Sequence, residues 1–178
     1  IRGCQMSSLH VITSIDTMLF HWCQRCLQMH AAVALTSRYI SRLGNGSVYI
    51  FIMLLVCFDA EQGTDFLYLC LFAFAIVLPL YLFLKNIVRR DRPYERLRLS
   101  LAAYPQDTFS FPSGHTAFAF AFATLLSEIY PVFGFIAYSI ATLIGLSRVL
   151  LGAHYPTDTL AGALLGVACA GVSMGLCL

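Results

Sequence analysis

Residues 66–84 form an apolar run with no charged side chain. At 1.5 Å per residue, a helix of that length covers most of a bilayer core about 30 Å thick. Inside a bilayer the backbone must satisfy its own polar groups, so an apolar run this long reads as a membrane helix. Pro79 lies within it, a residue that such helices tolerate. The remaining chain has the same character. Of its 178 residues, 59% are hydrophobic and 11% charged, where a soluble domain is about 25% charged. A soluble enzyme is thereby excluded, and an all-α, polytopic membrane helical bundle is expected.

The other spans are read from apolar runs and breaks. Ser47–Phe58, after the Gly44-Asn45-Gly46 break, is a short first span. Ser113–Glu128, Pro131–Ser147 and Thr157–Leu178 follow the run at 66–84, so about five spans are expected. Gly162, Gly166 and Ala170 let the last span approach its neighbours closely. Before the bundle, Leu9, Ile12, Ile15, Leu19, Trp22 and Cys26 recur at helical spacing, with Asp16 and Gln24 among the polar positions. That stripe predicts an amphipathic helix lying in the membrane interface, anchored by Trp22. Ala31–Leu43, with Arg38 and Arg42, is helical but too polar to span. The organisation is a single membrane-embedded domain over 1–178: an amphipathic N-terminal segment (1–43), then the bundle (44–178). The chain opens on Ile1, with Met6 the expected native start, and no cleavable signal peptide is visible.

The seven cysteines imply no disulfide framework. Cys57, Cys70, Cys169 and Cys177 lie in apolar runs, where cysteine behaves as a small hydrophobe. Cys23 and Cys26 form a CxxC with no second ligand pair, so metal or redox chemistry is not expected there. No cofactor and no nucleic-acid partner are expected, and the oligomeric state is left open.

Three polar clusters fall at matching ends of the spans. They are Lys85 to Pro93, Phe111 to His115, and Ser147 to Asp158. Two crossings separate residues 85–115 from 147–158, so the clusters share a face and can converge. Their chemistry is that of phosphoryl transfer. Lys85, Arg92 and Arg148 can neutralise phosphate oxygens, Arg through its planar fork. Ser113 can cap the helix that follows, and its hydroxyl and the Gly114 amide can face an anion at the positive helix end. His115 can protonate a leaving oxygen as general acid. His154 can attack phosphorus through a neutral ring nitrogen, with Asp158 holding the other nitrogen. Arg89, Arg90, Arg96 and Arg98 read instead as interfacial cations that contact headgroups. His10, His21 and His30 read as interfacial, as do Tyr94 and Tyr104.

The pattern K-x6-RP, PSGH and SR-x5-H-x3-D resembles the type-2 phosphatidic acid phosphatase superfamily. It reads here as Lys85…Arg92-Pro93, Pro112-Ser113-Gly114-His115, and Ser147-Arg148…His154…Asp158. The resemblance implies metal-independent hydrolysis through a phosphohistidine on His154. His115 is then the acid and Asp158 the partner of His154. Lys85, Arg92, Ser113, Gly114 and Arg148 bind the phosphate, and no metal site is implied. The substrate is expected to be a lipid phosphomonoester or diphosphate: phosphatidylglycerophosphate, phosphatidic acid or undecaprenyl diphosphate. A phosphotransferase using the same site is a second reading, and a non-catalytic lipid-binding or transport protein a third. A vanadate haloperoxidase shares the motif but not this apolar composition.

Many bacterial relatives have six spans, and the amphipathic segment stands here where the first would be. A bacterial cytoplasmic (inner) membrane is the expected location. With five spans, all eleven basic residues fall on the active-site face, while Asp59, Glu61, Asp65 and Glu128 fall on the other. The positive-inside rule then makes the active face cytoplasmic, although six-span relatives mostly work on the outer face.

Overall fold

The computed structural model describes residues 16–25, 31–58, 62–93 and 108–177. The early stripe positions Leu9, Ile12 and Ile15, together with Cys26, Tyr94 and Tyr104, lie outside the described residues. The described chain is helical: α1 (16–25), α2 (Ala31–Leu43), α3 (Gly46–Val56), α4 (Gly63–Val88), α5 (Gly114–Ile129), α6 (Gly134–Leu150) and α7 (Pro156–Cys177). A 3₁₀ turn at Pro131–Phe133 leads into α6. Among the described residues the β-pairing is one isolated bridge, Asp91 to Phe109.

Three helices are long and apolar enough to cross a bilayer: Gly63–Val88, Pro131–Leu150 and Pro156–Cys177. A fourth candidate is the pair α2–α3, bent by 53° at the Gly44–Asn45 break. The expected first span, Ser47–Phe58, falls in the second half of this pair. Its helix has only 11 residues, too short to cross alone, and it continues a bent pair whose first half is the polar Ala31–Leu43 helix. The helix built on the apolar run at 66–84 extends past that run at both ends. α4 runs to Val88 and ends on Arg89, which adopts the left-handed conformation (φ 46°) with its N–H bonded to the Lys85 carbonyl. That turn sends Arg90 back towards the bundle.

α5 lies at the centre, packed against α7, α6 and α4. Its Ala117, Ala119, Ala121, Ala123 and Leu125 are buried. Close α5–α7 contact depends on glycine: a Cβ on Gly166 would stand 2.2 Å from the Ala117 carbonyl oxygen, and one on Gly162 2.5 Å from that of Ser113. The outward faces of α4, α6 and α7 carry Phe83, Phe135 and Leu164, all well exposed. Apolar side chains displayed this way suit a lipid solvent.

α1 lies against the active-site end of the bundle. Phe20 is fully buried and packs on Val149 and Tyr155, while Met18 and Trp22 point outward. Gln24 Nε2 donates to the Leu150 carbonyl at 2.9 Å.

Candidate active site

Helix direction brings the three clusters together. α4 and α6 end where α5 and α7 begin, so Lys85, Arg148, His115 and Asp158 meet at one end of the bundle. Lys85 and Arg92 are buried there. Lys85 Nζ donates to the Tyr81 hydroxyl at 2.7 Å, and Arg92 Nη1 to the Ala153 carbonyl at 2.9 Å. Arg148 Nη1 donates to Ser41 Oγ at 2.7 Å, but its Nε is buried without a hydrogen-bond partner among the described residues. An orphaned guanidinium nitrogen in such a place is an anion site in waiting.

His154 follows a turn in which Gly152 takes φ 75°, a conformation natural to glycine. The imidazole is buried, and its Nδ1 lies 2.6 Å from the Ser110 carbonyl oxygen. A carbonyl has no proton to give, so Nδ1 carries the hydrogen and the neutral ring keeps its lone pair on Nε2. Burial, and then the nearby Arg148 and Arg92, push its pKa well below the ordinary histidine value. The expected hydrogen bond from His154 to Asp158 is therefore replaced by one to Ser110. Asp158 Oδ2 stands 4.0 Å from Nδ1, an electrostatic distance rather than a bond. That oxygen accepts the Tyr155 N–H at 2.8 Å, and Oδ1 accepts Arg90 Nη1 at 2.6 Å.

Ser113 precedes α5 but makes no side-chain cap. Its hydroxyl accepts from Thr116 at 2.9 Å, while its backbone N–H bonds the Asp158 carbonyl at 2.9 Å. Gly114 opens α5 against the Tyr81 ring, 3.1 Å from where a Cβ would sit. His115 Nε2 lies 3.2 Å from Asn45 Oδ1. A cavity of about 520 Å³ opens beside His115, lined by Asn45, Tyr49, Phe74, Tyr81 and Phe118 among others. It adjoins the proposed acid, not the proposed nucleophile.

Several of these residues escape a reading of the sequence. Arg90, expected to contact headgroups, instead bonds Asp158, Asp16 and Thr157 and lies 4.0 Å from the centre of the Tyr155 ring. Burial alone would loosen its proton, but Asp158, and then Asp16, hold it above the ordinary arginine value. Ser110, Ser41, Tyr81 and Asn45 carry no local signature. Asp16 carries one: it is the first carboxylate of the chain, alone on an amphipathic helix.

The fold and site define a class: a membrane helical bundle that gathers buried cations around a neutral, oriented histidine. Residues 66–176 match the PAP2 superfamily model, and the chain belongs to that superfamily. It is similar to an undecaprenyl-diphosphatase of Sulfolobus acidocaldarius, 31% identical over 72% of this chain and 63% of that one. Among solved structures it is similar to Aquifex aeolicus LpxE (TM-score 0.74, 27% identity, 90% of this chain and 95% of that one). It is also similar to a transmembrane PAP2-type phosphatidylglycerolphosphate phosphatase from Bacillus subtilis (TM-score 0.75, 26% identity, 93% and 86%). Curated relatives matched at 39–43% identity are longer, and the matched stretch spans only 14–29% of their length.

Proposed function

We propose that this protein is a membrane lipid phosphatase that works through a phosphohistidine on His154. The observation that carries the reading is the Nδ1–H of His154 bonded to the Ser110 carbonyl at 2.6 Å. It leaves a neutral Nε2 lone pair beside Arg148 and Arg92. These two, with Lys85, Ser113 and the Gly114 amide, hold the phosphate and stabilise the five-coordinate transition state. His115 protonates the leaving oxygen. Asp158 acts across 4.0 Å as the countercharge for the imidazolium that forms on phosphorylation. Water then attacks the phosphohistidine and releases inorganic phosphate. The chemistry takes its positive charge from these side chains and calls for no metal.

The apolar cavity beside His115 supports a lipid leaving group, since the group protonated by His115 departs on that side. The substrate class is a lipid phosphomonoester or diphosphate, with phosphatidylglycerophosphate, phosphatidic acid and undecaprenyl diphosphate as the members to test. Inorganic phosphate release from each by purified protein in chelator tests the reading, with His154→Ala as control. Release by wild type alone supports it; equal release by the variant contradicts it.

We also propose five crossings. α5 has 16 residues, about 24 Å of helix, and its central position makes it a span beside α4, α6, α7 and the bent α2–α3 pair. The site then faces the cytoplasm by the positive-inside rule.

A further inference from the structure

Asp16 is fully buried, although it opens the first described helix. Its Oδ2 accepts Arg90 Nη2 at 2.6 Å and also the Thr157 hydroxyl. Its Oδ1 accepts the Thr157 backbone N–H at 3.1 Å, satisfying one of the open donors at the start of α7. The other nitrogen of the Arg90 fork, Nη1, holds Asp158 Oδ1 at 2.6 Å. One guanidinium is thus stretched between two buried carboxylates, and Thr157, bonded to both Asp16 and Arg90, is the residue before Asp158. We infer that Asp16 is a positioning residue for the reaction: through Arg90 and Thr157 it fixes where the Asp158 carboxylate stands beside His154. The inference rests on His154 being the nucleophile.

The physical reason is the geometry of the fork. Without Asp16, Nη2 has no carboxylate of its own, and the guanidinium can turn both nitrogens onto Asp158 as a bidentate pair. That draws Asp158 away from the Tyr155 N–H and from His154. The phosphate cluster of Lys85, Arg92 and Arg148 is not touched. The loss therefore falls on the chemical step and not on substrate binding. Displacing a catalytic group by about 1 Å can cost 10²-fold in rate.

The test is steady-state kinetics on the purified full chain in lipid nanodiscs, with a short-chain phosphatidic acid as probe. Asp16→Asn is expected to lower kcat by about 10- to 100-fold while KM stays within about twofold. In an Arg90→Gln background, where the Arg90 link is already cut and only the Thr157 link remains, Asp16→Asn should cost less than it does alone, because the two residues are coupled. An unchanged kcat, a loss confined to KM, or full additivity of the two substitutions would each overturn the inference. If Asp16→Asn does not fold, Arg90→Lys reads the same link, since a point charge cannot hold both carboxylates as a fork does. It should lower kcat at constant KM, and a kcat equal to wild type overturns the inference. Phosphorylation of His154 in wild type is measured alongside. Its absence would sink the phosphohistidine reading, whereas its presence with an unaffected Asp16→Asn variant would sink only the role of Asp16.

Discussion

His154 and His115 are both imidazoles at one end of the bundle, and the proposed mechanism gives them different work. His154 is buried with its Nδ1–H committed to Ser110, so Nε2 is the atom free to attack. Because burial and the neighbouring arginines depress its pKa, the neutral form persists as pH falls through the ordinary histidine range near 6.5. The acid limb of kcat/KM, corrected for ionisation of the substrate, is therefore expected below 6.5; a limb above it would contradict the assignment. The same shift makes the unfolded chain bind a proton first, so stability drawn from neutral His154 is lost as pH drops below that range. His115→Ala should slow phosphoenzyme formation by about 10²- to 10⁴-fold, and less for substrates with good leaving groups. Stopped-flow comparison of alkyl and aryl phosphates measures this, and an equal loss for both would make His115 structural. At this scale the motif residues were legible because phosphoryl chemistry restricts which side chains serve. Ser110 and Arg90 were not, because their roles come from contacts 44 and 68 positions away along the chain.

α5 and α7 show what an element contributes to the site. Ser113 and Asp158 are joined by a backbone bond at the ends of these helices, so helix spacing sets how far Ser113 stands from Asp158. Gly166 governs that spacing. Gly166→Ala places a Cβ against the Ala117 carbonyl and should destabilise the protein by about 1–3 kcal/mol, the usual effect of overpacking. Gly171→Ala, where a Cβ would meet nothing within 4 Å, should be neutral or mildly stabilising. Thermal unfolding of the two variants in one detergent decides the matter, and equal midpoints would contradict the packing argument. The glycine-rich character of α7 was visible in sequence as a sign of close approach, although the partner helix was not. The bend between α2 and α3 was visible as Gly44-Asn45-Gly46. That Asn45 meets His115 there could not be read, since it depends on how the broken pair folds onto α5.

For the molecule as a whole, hydropathy gave the helical membrane class at once, because the bilayer leaves few alternatives. Span count was harder: the central helix, with 16 residues, falls short of the length rule, and the bent pair meets it only when its two halves are taken together. The proposed orientation rests on the proposed count. Lys85 and Arg90 lie at the site end, and Asp65 and Glu128 at the far ends of α4 and α5. Single cysteines at Arg89 and Gln62, in a cysteine-free background in intact cells, read the topology. A membrane-impermeant thiol reagent should label the Gln62 position and spare Arg89; the reverse pattern would place the site outside. Covalent chemistry at His154 is read most directly by trapping the phosphoenzyme. Wild-type protein is mixed in chelator with ³²P-labelled lipid phosphate and quenched within milliseconds in alkaline SDS, which preserves phosphohistidine. Acid-labile, base-stable label is expected on the peptide carrying His154, and none in His154→Ala. Turnover without such label, or label that survives in His154→Ala, would contradict it.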